Sequence, residues 1–428
     1  MEERLPVPPA LPFVRAARWP RLSRGTSFWL LGAIQLLLLF AAGAPSPLYP
    51  LYQAEWGFGP TAVTLVFALY AFGLLAALLV VGSLSDHIGR RPVLIASLLV
   101  EIAAMVVFTE AAGLGWLLVA RGIQGLATGA AMGAIGAGLI DLQPSDKPRL
   151  GPLVGGTSIL LGLALGGLGT GLLVRYAPAP TTLVYLVLIA AFAVTLAGVV
   201  FMPETTEGRP GALNSLLPRA SLPRRLRPHV LVITPSLVAL WAVGGFHLSL
   251  GPALTTSVLG ERSTVVTGAV IAVLTGAGAL GQLFLQRATP LRILSYGSAT
   301  LIAGMLITLI GVAATSAAAY LIGTALAGFG YGASFLGAMR SLAARAEPTE
   351  RAAALSVMFL ISYLAFGLPA VVAGVSATRL GLARTADGYA AAVIALALLA
   401  LIGLYVQRRR GTPQPEELSR PHSAHQSV

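Results

Sequence analysis

Glu101 is the only acid set well inside one of the long apolar runs of this 428-residue chain. Arg121 is a base set several residues inside another, where it opens Arg121-Gly-Ile-Gln124-Gly125. An arginine at the centre of a membrane costs about 2.5–3.5 kcal/mol on insertion scales, so such residues face a cavity or a partner. The bland alternative is that its long stem snorkels to the near surface. A buried carboxylate such as Glu101 can take up and release a proton, or it can serve as a structural partner of Arg121. His247 is a third titratable group in an apolar run. It can titrate near neutral pH, although a lone helix histidine is more often a hydrogen-bonding core residue.

The elements that must position these residues are membrane helices. The chain is 56% hydrophobic and only 10% charged, far below the charged share of about 25% in soluble domains. Its apolar runs are continuous and about 20 residues long, as helical spans require, whereas the strands of a membrane barrel alternate over about 10 residues. Twelve runs are separated by charged or proline-rich breaks. They are Phe28–Pro50, Thr61–Gly82, Pro92–Ala112, Trp116–Leu139, Leu150–Val174 and Leu183–Met202 in the first half. In the second half they are Val230–Gly251, Val265–Leu285, Ile293–Ala313, Ala317–Met339, Ala352–Gly374 and Tyr389–Val406.

Charge supports the count independently. Assigning the loops alternately puts 23 of the 28 basic residues on the side of both termini and four on the other, with Arg121 inside a span. Basic residues are retained on the cytoplasmic side, so both termini are expected in the cytoplasm of a multi-pass protein of the cell membrane. The expected parts are a tail over 1–27, a six-helix bundle over 28–202, a linker over 203–229, a second bundle over 230–406 and a tail over 407–428. Ala42-Gly43-Ala44 mimics a signal-peptidase site, but cleavage there would leave a mis-oriented set of helices. Gly129-Ala-Ala-Met-Gly133 followed by Pro144-Ser-Asp146-Lys147 recurs as Gly332-Ala-Ser-Phe-Leu-Gly337 followed by Pro348-Thr-Glu350-Arg351. Parallel repeats of this kind build transporter halves.

Several functions are excluded. The net charge of +12 is scattered among loops, not gathered into a nucleic-acid footprint. The chain has no cysteine, which removes disulfides, thiolate metal sites and a Cys nucleophile. Five histidines without metal-ligand spacing give no metal site, and no cofactor is expected. No P-loop pattern exists for ATP hydrolysis, so transport energy must come from a gradient. A membrane enzyme would need a Ser/His/Asp set or clustered carboxylates, and a sensor would need a folded signalling domain. Neither is apparent.

Between the second and third runs stands Gly82-Ser-Leu-Ser-Asp86-His-Ile-Gly89-Arg90-Arg91-Pro92. A turn that only set topology would need the arginines but not the aspartate or the placed glycines. This G-x-L-x-D-x-x-G-R-R pattern resembles the signature loop of the major facilitator superfamily. Pro203-Glu204-Thr205 at the end of the sixth run resembles that family's helix closure, and Arg121-x-x-Gln124-Gly125 resembles a motif associated with proton coupling. In the second half the counterpart of the loop is degraded, with Leu285 where an aspartate would stand.

The resemblance implies an all-α fold of twelve transmembrane helices in two six-helix bundles, working by alternating access. In such proteins the signature loop latches the halves together on the cytoplasmic side in the outward-facing state. Asp86 would then face the positive N-terminal end of the eleventh span, which begins near Ala352. Arg90 would pair with Asp141. Gly162, Gly166, Gly167, Gly169 and Gly171 fall where drug:proton antiporters carry a glycine motif, with Gly167 replacing its proline. Plain small-residue packing is the competing reading. A central cavity is expected between spans 1, 4, 7 and 10, with Gln35, Tyr70, Trp241, His247, Gln282, Tyr331 and Tyr363 as candidate lining. That lining suits a hydrophobic or amphipathic solute better than a sugar. The leading expectation is a monomeric, proton-coupled exporter of small organic compounds, and the runner-up is an uptake permease for a sugar or organic acid.

Overall fold

Twelve helices among the described residues are long and apolar enough to cross a membrane. The computed structural model describes residues 21–206, 208–216, 222–260, 263–347 and 350–410. Of the tails expected over 1–27 and 407–428, residues 1–20 and 411–428 lie outside them, as does Pro348 of the repeat. The first six helices are α1 Arg24–Gly43, α2 Pro60–Val81, α3 Arg90–Thr109, α4 Leu114–Leu142, α5 Leu150–Tyr176 and α6 Leu183–Val200. The second six are α7 Arg227–Ser249, α8 Thr264–Leu285, α9 Pro290–Ala313, α10 Ala317–Ala343, α11 Arg351–Leu380 and α12 Leu382–Arg410. Each helix of the second half starts about 200 residues after its counterpart, as Arg24 and Arg227, Pro60 and Thr264, or Leu114 and Ala317 show. Two-thirds of the apolar window of α1 and of α7 is buried (67% each), against 28% for α6 and α12. The former pair is therefore central and the latter peripheral.

Two boundaries differ from the sequence reading. The first run, expected to continue unbroken to Pro50, ends as a helix at Gly43. Pro45 and Pro47 follow, and proline supplies no N–H to continue the ladder. A single 3₁₀ turn, Ser46–Leu48, then leads into a short helix, Tyr49–Trp56. The counterpart α7 breaks similarly before Gly251–Ser257, with Pro252 in its first turn. At the other end of the chain, a loop expected between Gly374 and Tyr389 is largely helical. The charges of Arg379, Arg384 and Asp387 interrupt the apolar run but not the backbone. α11 and α12 meet at Gly381, whose φ of 86° reverses the chain at little cost because glycine lacks a Cβ.

The halves meet through two antiparallel seams, α2 on α11 and α5 on α8. Both are tied at the end away from the Gly82–Pro92 loop. Thr61 Oγ1 donates to the Gly374 carbonyl at 3.1 Å and lies 2.9 Å from the Thr378 hydroxyl. Thr264 Oγ1 donates to the Gly171 carbonyl at 3.0 Å. The short helices Tyr49–Trp56 and Gly251–Ser257 also touch there. Between the seams α1 and α4 stand opposite α7 and α10.

Candidate functional site

The charged loop is built around the start of α3. Gly89 has φ 102°, a conformation that L side chains rarely adopt. It turns the chain so that the Glu204 carboxylate accepts the N–H of Arg90 at 2.8 Å and of Arg91 at 3.0 Å. Those are two of the donors that a helix N-terminus leaves unsatisfied. Arg90 is buried and donates to Ser85 Oγ at 2.7 Å. It also pairs with Asp86, and through Nε with Asp141 Oδ2 at 3.4 Å. Asp141 is held further by Thr205 Oγ1 at 3.2 Å. Gly82 is needed at the end of α2, where a Cβ would run into the Leu78 carbonyl. Arg91 also borders a shallow open groove of about 540 Å³, together with Pro92, Ile95, Ala96, Leu99 and Glu204. That groove lies against the outer side of α3, away from the space between the halves.

In this arrangement Asp86 turns to Arg90 within its own loop. The start of α11 is engaged from elsewhere, because Glu350 pairs with Arg225 of the linker and Glu347 lies 3.0 Å from the same guanidinium. Arg225 lowers the pKa of the partly covered Glu350 carboxyl.

Arg121 does not snorkel; it is fully buried. Its Nε and Nη2 donate to the Tyr49 hydroxyl at 3.1 and 2.8 Å. Its Nη1 donates to the Ala42 carbonyl at 3.0 Å and to Gln124 Oε1 at 2.8 Å. The Ala42 carbonyl is available because α1 stops one residue later. The Tyr70 ring covers the guanidinium at 5.1 Å, a cation–π contact. Arginine can only donate, so Gln124 must present its oxygen to Arg121 and its amide N–H groups to the other side. There Nε2 donates to Glu101 Oε1 at 3.3 Å, while Thr128 Oγ1 donates to Oε2 at 3.4 Å. Glu101 is therefore joined to Arg121 through Gln124. The two make no direct ion pair.

The centre of the molecule is aromatic. The Trp241 ring on α7 lies 6.0 Å from Tyr331 and 5.8 Å from Phe335 on α10. It lies 5.5 Å from Tyr363 and 5.3 Å from Phe366 on α11. Phe366 reaches across the seam to Phe67 of α2 at 4.6 Å. On the opposite wall, Gln35 of α1 lies against α4 and α5, with Nε2 3.9 Å from Met132 Sδ. Gln35 Oε1, Tyr70 Oη and Trp241 Nε1 are buried without a hydrogen-bond partner.

A profile described as Major Facilitator Superfamily matches residues 31–294. The chain belongs to this superfamily. Among the described residues it has twelve helices long and apolar enough for the membrane fold of that family. The multidrug resistance protein MdtL of Klebsiella pneumoniae is 25% identical over 248 residues, 55% of this chain and 60% of its own. The MFS-type transporter paaT of Penicillium rubens is 30% identical over 24% of this chain and 21% of its own. Citrate exporter 1 of Aspergillus niger is 32% identical over 29% of this chain and 24% of its own. The chain thus spans between about a fifth and three-fifths of the length of these curated relatives. Among solved structures, a bacterial homologue of the human lysosomal transporter Spinster aligns with TM-score 0.73 and 13% identity, covering 91% of this chain and 99% of that one. The nucleoside transporter NupG aligns with TM-score 0.69 and 12% identity, covering 88% and 99%. These two likenesses concern the fold.

Within this transporter the candidate residues separate into distinct places. Trp241, Tyr331 and Tyr363 share one aromatic cluster, whereas Gln35 lies beside Met132 and Tyr70 covers Arg121. His247 does not join them. Its Nδ1 lies 2.9 Å from the Val243 carbonyl and its ring stacks on Tyr320, inside a separate buried cluster with Phe246 and Leu250. Trp241 and His247 are six positions apart, about 240° around a helix, so they point away from each other. Gln282 lies at the α5–α8 seam, 3.2 Å from where a Cβ on Gly156 would be. The glycines of α5 serve two partners. Gly162 and Gly166 press on the backbone of α1 at Leu36 and Phe40, whereas Gly167 and Gly171 press on Ile271 and Thr264 of α8. Sequence reasoning missed Glu204 as the cap of α3 and Tyr49 as the acceptor for Arg121. The first carried a signal in Pro203-Glu204-Thr205; the second needed the break in α1 to be seen.

Proposed function

We propose that the chain is a proton-coupled exporter of small hydrophobic or amphipathic organic compounds. It works by alternating access in the cell membrane with both termini in the cytoplasm. The buried chain from Glu101 through Gln124 to Arg121 carries this reading. The charge bias of the loops supports the orientation, and the names of MdtL and citrate exporter 1 support export. With the basic loops read as inside the cell, the ties at the far end support an inward-facing reading of this arrangement.

The network supplies a route from a proton to the outer closure. When Glu101 takes a proton, the Thr128 hydroxyl can rotate and accept from it, because a hydroxyl both donates and accepts. Gln124 cannot reverse while Arg121 holds its oxygen. Neutralising Glu101 instead removes the negative charge that stabilises the Gln124–Arg121 end of the chain. Arg121 grips Ala42 and Tyr49 on either side of the α1 break, and Tyr49 begins the short helix that closes the outer end. Protonation therefore acts on the hinge of that helix.

The test is transport in proteoliposomes under an imposed pH gradient, using inverted and right-side-out vesicles and compounds chosen by growth-inhibition screening. Accumulation that follows the proton gradient in the inverted vesicles is expected. Transport indifferent to the gradient sinks the coupling, and net uptake in right-side-out vesicles sinks the export direction.

A further inference from the structure

We infer that the substrate is an uncharged aromatic compound carrying a carbonyl or ether oxygen, and that both organic cations and organic anions are rejected. This rests on reading the space between the halves as the transport site.

The buried arginine and carboxylate side chains among the described residues are Arg90, Glu101 and Arg121. None has a charge to offer a ligand in the centre. Arg90 is engaged by Ser85, Asp86 and Asp141 at the end of the bundle. Arg121 has its donors on Tyr49, Ala42 and Gln124 and its face under Tyr70. Glu101 is enclosed between α3 and α4, with Gln124 and Thr128 on its two oxygens. A charged ligand drawn between the halves would lose its hydration without gaining a counter-ion, which is strongly unfavourable.

What the centre does offer is specific. Trp241 Nε1 is a donor only, Tyr70 Oη can donate or accept, and Gln35 Oε1 accepts. All three are buried and unpartnered, a state that native proteins avoid unless the groups serve another purpose. Gln35 and Trp241 stand on α1 and α7, the first helices of the two halves. Around Trp241 stand the rings of Tyr331, Tyr363 and Phe366. Such rings offer faces and edges on which a flat ring system stacks. An acceptor oxygen on it meets the Trp241 N–H or the Tyr70 O–H, and a ring N–H meets Gln35.

Three tricyclic probes of one shape test this by equilibrium binding to the purified protein in nanodiscs, with no gradient present. Acridone is neutral with a carbonyl and an N–H, N-methylacridinium is a permanent cation, and acridine-9-carboxylate is an anion. Acridone is expected to bind at least about tenfold tighter than either charged probe. Trp241→Phe keeps an aromatic ring but removes the N–H together with the fused pyrrole ring; it should weaken acridone about tenfold or more, at least the order of one hydrogen bond. Gln35→Glu should admit N-methylacridinium. The inference is overturned if a charged probe binds within twofold of acridone, if none of the three binds, or if Trp241→Phe leaves acridone binding unchanged. Binding of acridone as expected with no proton-driven flux would instead overturn only the coupling reading.

Discussion

Glu204 accepts the backbone N–H of Arg90 at 2.8 Å, so a residue just beyond α6 caps the start of α3. The same carboxylate takes the Arg91 N–H, and its Oε1 also accepts from the Thr205 N–H at 3.0 Å. Only a residue without a Cβ fits beneath it, because a Cβ on Gly89 would lie 2.6 Å from Glu204 Oε2. Losing a helix cap costs about 0.5–2 kcal/mol. Glu204→Ala is therefore expected to lower the thermal stability of the detergent-solubilised protein by about that much. Glu204→Gln, which keeps one acceptor, should lose less. Equal melting temperatures for wild type and Glu204→Ala would show that the cap contributes nothing.

The Arg121 network makes a graded prediction. Arg121→Ala should insert and fold yet lose gradient-driven transport, while Arg121→Lys should not restore it. A lysine ammonium has three donors on a point charge and cannot reproduce the planar fork that spans Tyr49, Ala42 and Gln124. Tyr49→Phe deletes the oxygen that two arginine nitrogens share, and it should weaken coupling while acridone binding stays unchanged. Glu101→Gln should abolish the dependence of transport on pH. If transport in Glu101→Gln keeps its pH dependence, Glu101 does not carry the proton.

The two faces of α5 predict two different phenotypes. Gly162 and Gly166 pack within one half, so alanine there should destabilise the protein by about 1–3 kcal/mol, as overpacking does. Gly167 and Gly171 pack against α8 of the other half. Alanine at these positions should instead pry open the outer end and raise outside accessibility of a single cysteine near Thr264. Equal loss of stability in all four variants, with accessibility unchanged, would refute the division.

Glu350 gives a pH dependence whose sign is set by Arg225. The pairing lowers the Glu350 pKa below the ordinary value of 4.5, so it contributes above that value and is lost as the pH falls through the lower, folded value. The hydrogen-exchange protection of residues 222–227, taken relative to the intrinsic rate at each pH, should therefore be unchanged from neutral pH down to about 5 and fall only in more acid solution. Arg225 is exposed and Glu350 only partly covered, so the effect should be modest and screened by salt. Arg225→Gln should remove the acid-dependent step.

Most of the architecture was legible because membrane helices announce themselves by long apolar runs, and Arg121 and Glu101 stood out as charge within them. The limits have physical causes. Helix ends were placed where charge begins, yet α11 continues past Arg379 and α12 begins before Arg384. Such polar turns stay helical beyond the apolar layer. The break in α1 had its signal in Pro45 and Pro47, masked by the apolar residues around them. The Glu204 cap joins residues more than 110 positions apart, so no local pattern contains it. Trp241 and His247 share one helix and one composition. Only the direction of each side chain separates the aromatic centre from the buried cluster of His247.

Asp86 gives the decisive test of the charged loop. Here it is half exposed and pairs with a buried Arg90 that Ser85 and Asp141 also engage, so losing this one contact costs about 0–1 kcal/mol. In the outward-facing state the latch reading sets Asp86 against the N-terminus of α11, where partly buried charge is worth up to about 2 kcal/mol. Asp86→Asn should thus cost the outward-facing state more than the inward-facing one, by about 1–2 kcal/mol. That difference is about a five- to thirtyfold shift in population. The variant should accumulate normally, turn over slowly and expose cysteines placed on the inner walls of α4 and α10. The chain contains no cysteine of its own, so each label reports one site. Arg90→Ala should move accessibility in the same direction, because Arg90 is what orders Asp86 beside Ser85 and Asp141. If neither variant changes cytoplasmic accessibility, the loop serves only to set topology, and the two placed glycines and the aspartate need another explanation.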